Sequence, residues 1–203
     1  EPALARDILA AGNPDLHVLR LRGEQDAALE RLLLDGLPAR EAGRPQGYAH
    51  YLEVLRDSRP AADTPADAAA GADGARAVVA AFGEFQVLCA VRKGPWGVEG
   101  LNPRIAAALH QRGLLEDQQG WYEGRPVLVT RNDYGLGLMN GDIGIALRLP
   151  EPAERPGAVA PTVLRVAFPR NDGSGELRYI LPSRMSAVET VFAMTVHKSQ
   201  GSG

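Results

Sequence analysis

Apolar positions recur at helical spacing along the first half of this chain and at strand spacing along the second. Pro2 to Ala11 reads as a short helix stopped by Gly12-Asn13-Pro14, and Leu16 to Leu21 as a strand. Glu24 to Asp35 carries Ala28, Leu29, Leu32 and Leu33 on one face, with Gly36 as a stop signal, and predicts an amphipathic helix. Tyr48, Tyr51, Leu52 and Leu55 repeat the pattern at i, i+3, i+4, i+7, a stripe that reads as core, with base stacking as the alternative. Ser58 to Gly74 is rich in Ala, Asp and Pro and nearly empty of large apolar residues, so it predicts a flexible surface segment. Helix resumes from Ala75 to Phe82 and leads to an apolar strand within Phe85 to Val91.

From Arg125 the period shortens. Strands are predicted over Pro126 to Arg131, Asp142 to Leu149, Val163 to Pro169 and Glu176 to Leu181, with clear alternation at Ile143, Ile145 and Leu147. Asn140-Gly141 and Asn171 to Gly175 are tight-turn signals, and the proline-rich stretch Pro150 to Pro161 reads as an exposed loop. Short antiparallel strands joined by such turns imply a small barrel. Glu189 to Thr195 then reads as one buried strand, and the polar residues after it fall in the loop at its carboxyl end, the edge where ligands bind in α/β sheets.

Composition adds exclusions. The 203 residues suffice for one sizeable domain or two small ones, and a net charge of -3 supplies no global attraction to nucleic acid, so any binding must be local. A single cysteine, Cys89, excludes an internal disulfide and reads as a buried small hydrophobe. His17, His50, His110 and His197 are dispersed without cysteine partners, which gives a metal site little support. No apolar run reaches membrane length and no secretory signal is visible, so the expectation is a cytoplasmic protein without a membrane partner.

Three places carry candidate chemistry. Thr195, His197 and Lys198 bring a hydroxyl, an imidazole and a cation to one strand end, a set suited to phosphate and sugar contacts, and Gly201 would let backbone approach a ligand. A polar terminal loop without a ligand is the plain alternative. Arg92-Lys93-Gly94-Pro95-Trp96-Gly97 is a cationic, glycine-punctuated loop that suits a phosphate, or else a solvated connector with Trp96 packed beneath it. Asn102, with Pro103 in the first turn, is expected to cap the following helix. Arg131-Asn132-Asp133-Tyr134 mixes a cation, an amide and an aromatic as a single-strand contact would, although Asn132 and Asp133 more often simply stabilise a turn through local backbone bonds.

The run T-V-H-K-S-Q-G-S at 195–202 resembles motif V of superfamily 1 DNA helicases of the RecD type, the alpha subunit of exodeoxyribonuclease V. Phe85 to Ile105 resembles that family's motif IV strand, loop and helix. Trp121 to Gly144 resembles the segment entering the barrel inserted in its second motor domain, and Gln46 to Leu55 adds a weaker likeness. The resemblance implies an α/β fold, part of a RecA-like second motor domain of the P-loop NTPase type. Residues 1–124 would be its helical and α/β part, 125–188 an inserted SH3-like barrel, and 189–203 the return strand with motif V.

By the same resemblance Arg92, or Lys93 in its place, sits by the nucleotide's terminal phosphate, with Gln200 and Gly201 also at the nucleotide. Thr195, His197, Lys198, Asn132, Tyr134 and Asn140 would face single-stranded DNA. The implied activity is ATP-driven, 5′ to 3′ translocation and unwinding in double-strand break repair and recombination, with RecB and RecC as partner subunits and ATP and Mg2+ as cofactors. The chain departs from the family pattern in carrying no G-x-x-x-x-G-K-[ST] loop and in having Gly203 where a glutamate follows Q-G-S. The expectation is therefore one part of a longer motor, inactive alone and with no cofactor expected on it. A strand-binding adaptor or a protein-interaction module are the rival readings.

Overall fold

The computed structural model describes residues 2–11, 16–37, 46–59, 68–151 and 161–199. Four helices come first: α1 (Pro2–Ala10), α2 (Ala27–Asp35), α3 (Tyr48–Asp57) and α4 (Ala68–Gly83). Asp26 caps α2 by accepting from the Ala28 amide at 2.9 Å, and Gly36 ends it with a positive φ of 77°. Leu29, Leu33 and Leu34 of α2 pack with Tyr48, Tyr51, Leu52 and Leu55 of α3, so the tyrosine stripe is core. Tyr48 and Tyr51 join Phe82, Phe85 and Phe192 in an aromatic cluster of stacked and edge-on rings.

Two of the helical-half expectations fail. Leu16 to Leu21 forms no strand, and Leu16, Val18 and Leu19 are exposed instead of packed on a sheet face. Residues 68–74, expected to be flexible, form the first two turns of α4, whose buried Ala75, Val78, Ala81 and Phe82 pack on α3. An alanine-rich start extends a helix whose later turns are anchored by packing. The rest of the Ser58 to Gly74 segment beyond Arg59, and most of the Pro150 to Pro161 loop, lie outside the described residues.

Two sheets follow. In the first, β1 (Val87–Cys89) pairs in parallel with β7 (Ala193–Thr195), and α5 (Val98–Gln111) packs against β7. In the second, five antiparallel strands lie in the order β5-β4-β3-β2-β6, comprising β2 (Pro126–Val129), β3 (Ile143–Pro150), β4 (Thr162–Pro169), β5 (Leu177–Ile180) and β6 (Val188–Thr190). Ile145, Leu147 and Ala167 turn one face of this sheet toward the helical core, while Val127, Val129, Ala146, Val166 and Phe168 turn the other toward Leu136, Leu138 and Met185. The mixed α/β class holds. The closed barrel does not: among the described residues β5 and β6 are the outer strands of an open sheet, and loop side chains cover its second face.

The expected single strand over Glu189 to Thr195 is divided. Val188–Thr190 joins the antiparallel sheet against β2, and after Val191 and Phe192 the chain enters the parallel ladder as β7. Seven residues thus link both sheets, followed by α6 (Val196–Ser199), a helical turn where a loop was expected.

Candidate nucleic-acid interface

The parallel ladder fixes the geometry of the candidate site. Its register, Val87 with Ala193 and Cys89 with Thr195, sets the carboxyl ends of β1 and β7 side by side, so the Ala90 to Gly97 loop and α6 leave from one edge. Two buried polar side chains hold it. The Tyr48 hydroxyl donates to the Phe192 carbonyl and accepts from the Val87 amide at 3.3 Å. Asn102 donates to the Ala193 carbonyl at 3.0 Å and accepts from the Ala193 amide at 2.7 Å.

Asn102 is therefore not the expected helix cap. The N-cap is Gly97, the helix begins at Val98, and Asn102 is buried one turn inside, just before an internal Pro103. An Asn-Pro pair resembles a helix start in sequence, but here the amide serves as an extra rung on β7. Nothing in the local pattern distinguishes the two roles, because the partner is 91 positions away.

At the end of β7 Thr195 is half-buried, and in α6 His197 is exposed. The Lys198 ammonium donates to Asn140 Oδ1 at 3.4 Å. The Asn140 backbone N–H in turn donates to Asn132 Oδ1 at 2.7 Å, and Asn132 Nδ2 donates to the Tyr134 hydroxyl at 3.2 Å. Lys198 of α6 and Asn140, Asn132 and Tyr134 of the β2–β3 connection thus form one hydrogen-bonded series. Its outer end is a ring that is 78% exposed. Asp133 keeps the turn closed through a backbone pair with Leu138 and a bond from the Leu136 amide. The arrangement presents a cation, two amides and an uncovered aromatic face, which suit a phosphate, sugar or base edges, and a stacked base respectively.

The loop after β1 is packed backbone on backbone. A Cβ on Gly97 would lie 2.6 Å from the Arg92 and Lys93 carbonyl oxygens, and one on Gly100 would lie 2.6 Å from the Gly94 carbonyl oxygen. The Val98 and Glu99 amides at the start of α5 donate to the Val91 and Arg92 carbonyls. These helix-start donors are used within the protein, so a phosphate here would be met by side chains. Trp96 is 41% exposed, not packed beneath the loop.

Arg92 Nη2 donates to both carboxylate oxygens of Glu189, at 3.0 and 3.1 Å, and Glu99 lies 3.9 Å from its Nε. A phosphate seeking Arg92 would compete with these carboxylates. Lys93 is exposed beside it. Glu189 escaped the sequence reading because only the division of β6 from β7 brings it to this loop. Gln200 and Gly201 lie outside the described residues.

Cys89 is buried, and burial raises its thiol pKa, which keeps it in the unreactive thiol form. Among the described residues no group of three or more His, Cys, Asp or Glu side chains converges as a metal site. None of the described helices is long and apolar enough to cross a membrane.

No family model matches the chain. It is 42% identical over 124 residues to the RecBCD enzyme subunit RecD of Mycobacterium tuberculosis, covering 61% of this chain and 19% of that protein. It is 35% identical over 164 residues to the RecBCD enzyme subunit RecD of Haemophilus influenzae, covering 77% of this chain and 22% of that protein. Against the ATP-dependent RecD2 DNA helicase of Deinococcus radiodurans, identity is 32% over 124 residues, 59% of this chain and 15% of the relative. The chain thus spans roughly a fifth of the length of the RecD relatives it matches.

Proposed function

We propose, on the premise that this chain is RecD-type helicase sequence, that it supplies the strand-gripping and coupling part of an ATP-driven DNA motor. The observation that carries this reading is the hydrogen-bonded series from Lys198 through Asn140 and Asn132 to Tyr134. Those residues come from two separate segments and converge on one exposed surface. In this reading they hold single-stranded DNA, with Lys198, His197 and Thr195 toward its backbone and Tyr134 against a base. Arg92, or Lys93, faces the nucleotide's terminal phosphate, with Gln200 and Gly201 nearby.

Residues 1–124 and 189–203 correspond in this proposal to part of a RecA-like second motor domain. Residues 125–188 take the place of the SH3-like insert. Arg92 would meet ATP's phosphate once Glu189 releases it. Mg2+, which offsets phosphate charge when bound, would be held by residues outside the described part. The parent would translocate 5′ to 3′ in the cytoplasm, alone or with RecB and RecC.

The test is direct. Fluorescence anisotropy with labelled oligothymidine should show weak, salt-sensitive binding to this chain, weakened in Lys198→Ala and Tyr134→Ala. Affinity equal at low and high salt would remove phosphate contact from the reading. Without a phosphate-binding glycine loop, the chain alone should hydrolyse no ATP. DNA-stimulated turnover by the pure chain would overturn the assignment.

A further inference from the structure

Tyr134 sits at the tip of a tight hairpin turn, Asp133 to Leu138, and an exposed ring stacks well only if the turn beneath it is stiff. Four residues, Tyr134-Gly135-Leu136-Gly137, close that turn. The Gly137 amide donates to the Tyr134 carbonyl at 3.3 Å, and Gly137 has a positive φ of 65°. Backbone bonds within the turn leave the Leu136 and Gly137 carbonyls to find donors elsewhere. Both find the same one. Arg178, on β5, donates from Nη1 to the Leu136 carbonyl at 2.9 Å and also to the Gly137 carbonyl. The fit is close enough that a Cβ on Gly137 would run into the Arg178 guanidinium.

We propose that Arg178 is a positioning residue for strand binding: it clamps the 134–137 turn from β5 and so aims Tyr134 at the nucleic acid without touching it. The proposal rests on the reading of Tyr134 as a stacking surface. An arginine suits the role because its rigid, planar guanidinium fixes the two N–H groups of Nη1 toward two neighbouring carbonyls, whereas a lysine offers a mobile point charge. Its cationic charge is directed into backbone oxygens. A clamp and a phosphate contact therefore predict different salt behaviour.

The test uses this chain and a labelled oligothymidine, with affinity measured across a salt series. Tyr134→Ala should weaken binding about ten-fold, the scale of one lost stacking contact. Arg178→Ala should weaken it about five-fold and leave the salt slope as in the wild type, and Arg178→Lys should recover part of that loss. The Tyr134→Ala, Arg178→Ala double variant should bind no more weakly than Tyr134→Ala alone, because the clamp acts only through the ring. Gly137→Ala disturbs the same contact from the turn side with Arg178 retained, and should reproduce the Arg178→Ala loss.

Amide hydrogen exchange over residues 134–138 provides a readout independent of DNA, and should speed up in Arg178→Ala. A salt slope shallower by about 0.7 in Arg178→Ala would mark a direct phosphate contact and overturn the proposal. Unchanged exchange, or losses that multiply in the double variant, would overturn it as well. If the wild-type chain bound no oligothymidine, the strand reading and the proposal resting on it would both fall. Altered exchange would then still show that Arg178 clamps the turn, which separates that failure from a failure of the clamp.

Discussion

Asn102 and Ala193 hydrogen-bond to each other twice, the side-chain amide of α5 donating to the Ala193 carbonyl at 3.0 Å and accepting from its amide at 2.7 Å. This is the pairing a neighbouring strand would provide, supplied here by one helical side chain. Both Ala193 groups are buried, so losing the partner strands a donor and an acceptor together. Asn102→Ala should destabilise the chain by about 2–4 kcal/mol, the scale of two unsatisfied buried groups. Urea unfolding should show the loss at unchanged m-value. A loss under about 0.5 kcal/mol would mean that water replaces the amide.

Arg92 and Glu189 are both substantially exposed, at 49% and 43% of their side chains, so their two-oxygen contact should add little to stability. Arg92→Ala is expected to shift unfolding by no more than about 1 kcal/mol. In the ATP-hydrolysing parent enzyme at saturating DNA, the same substitution should slow turnover while strand affinity stays near wild type. An interaction with the transferred phosphate matters most in the transition state. Lost strand affinity with full turnover would move this loop out of the nucleotide cleft.

Lys198 is the cation of the strand-binding series, and a phosphate contact leaves a counterion signature. Lys198→Ala should make the slope of log affinity against log salt shallower by about 0.7, whereas Tyr134→Ala should lower affinity at every salt concentration without changing the slope. Equal slopes in wild type and Lys198→Ala would show that Lys198 makes no phosphate contact.

Three buried tyrosines predict an alkaline limit. Burial favours the neutral phenol and pushes Tyr122 up from 10.0 to about 12, and it raises Tyr48 and Tyr51 as well. The unfolded chain ionises first, so the stability these phenols contribute is whole below pH 10 and is lost as the pH climbs toward 12. Circular dichroism and tyrosinate absorbance, followed together from pH 8 upward, should show these phenols ionising only as the fold is lost. Full ionisation with unchanged far-ultraviolet signal would show that water reaches all three.

The sequence by itself determined most of the local elements and singled out the residues proposed for the candidate surface. The i, i+3, i+4, i+7 stripe of Tyr48, Tyr51, Leu52 and Leu55 and the alternation of Ile143, Ile145 and Leu147 are periodic signals, and periodicity is written in neighbouring residues. The RecD-type likeness is equally linear, and it drew attention to Asn132, Tyr134, Asn140 and Lys198 before any contact among them was visible. Tertiary structure alone decided three matters: that Glu189 to Thr195 divides between two sheets, that Asn102 bonds to β7 instead of capping α5, and that Glu189 and Arg178 take hold of Arg92 and the Tyr134 turn. Each depends on partners at least 41 positions apart, up to the 106 that separate Val87 from Ala193. Hydrogen bonds and ion pairs at that separation are selected by which surfaces the packed core brings together, and a local pattern of polar residues carries no record of that choice.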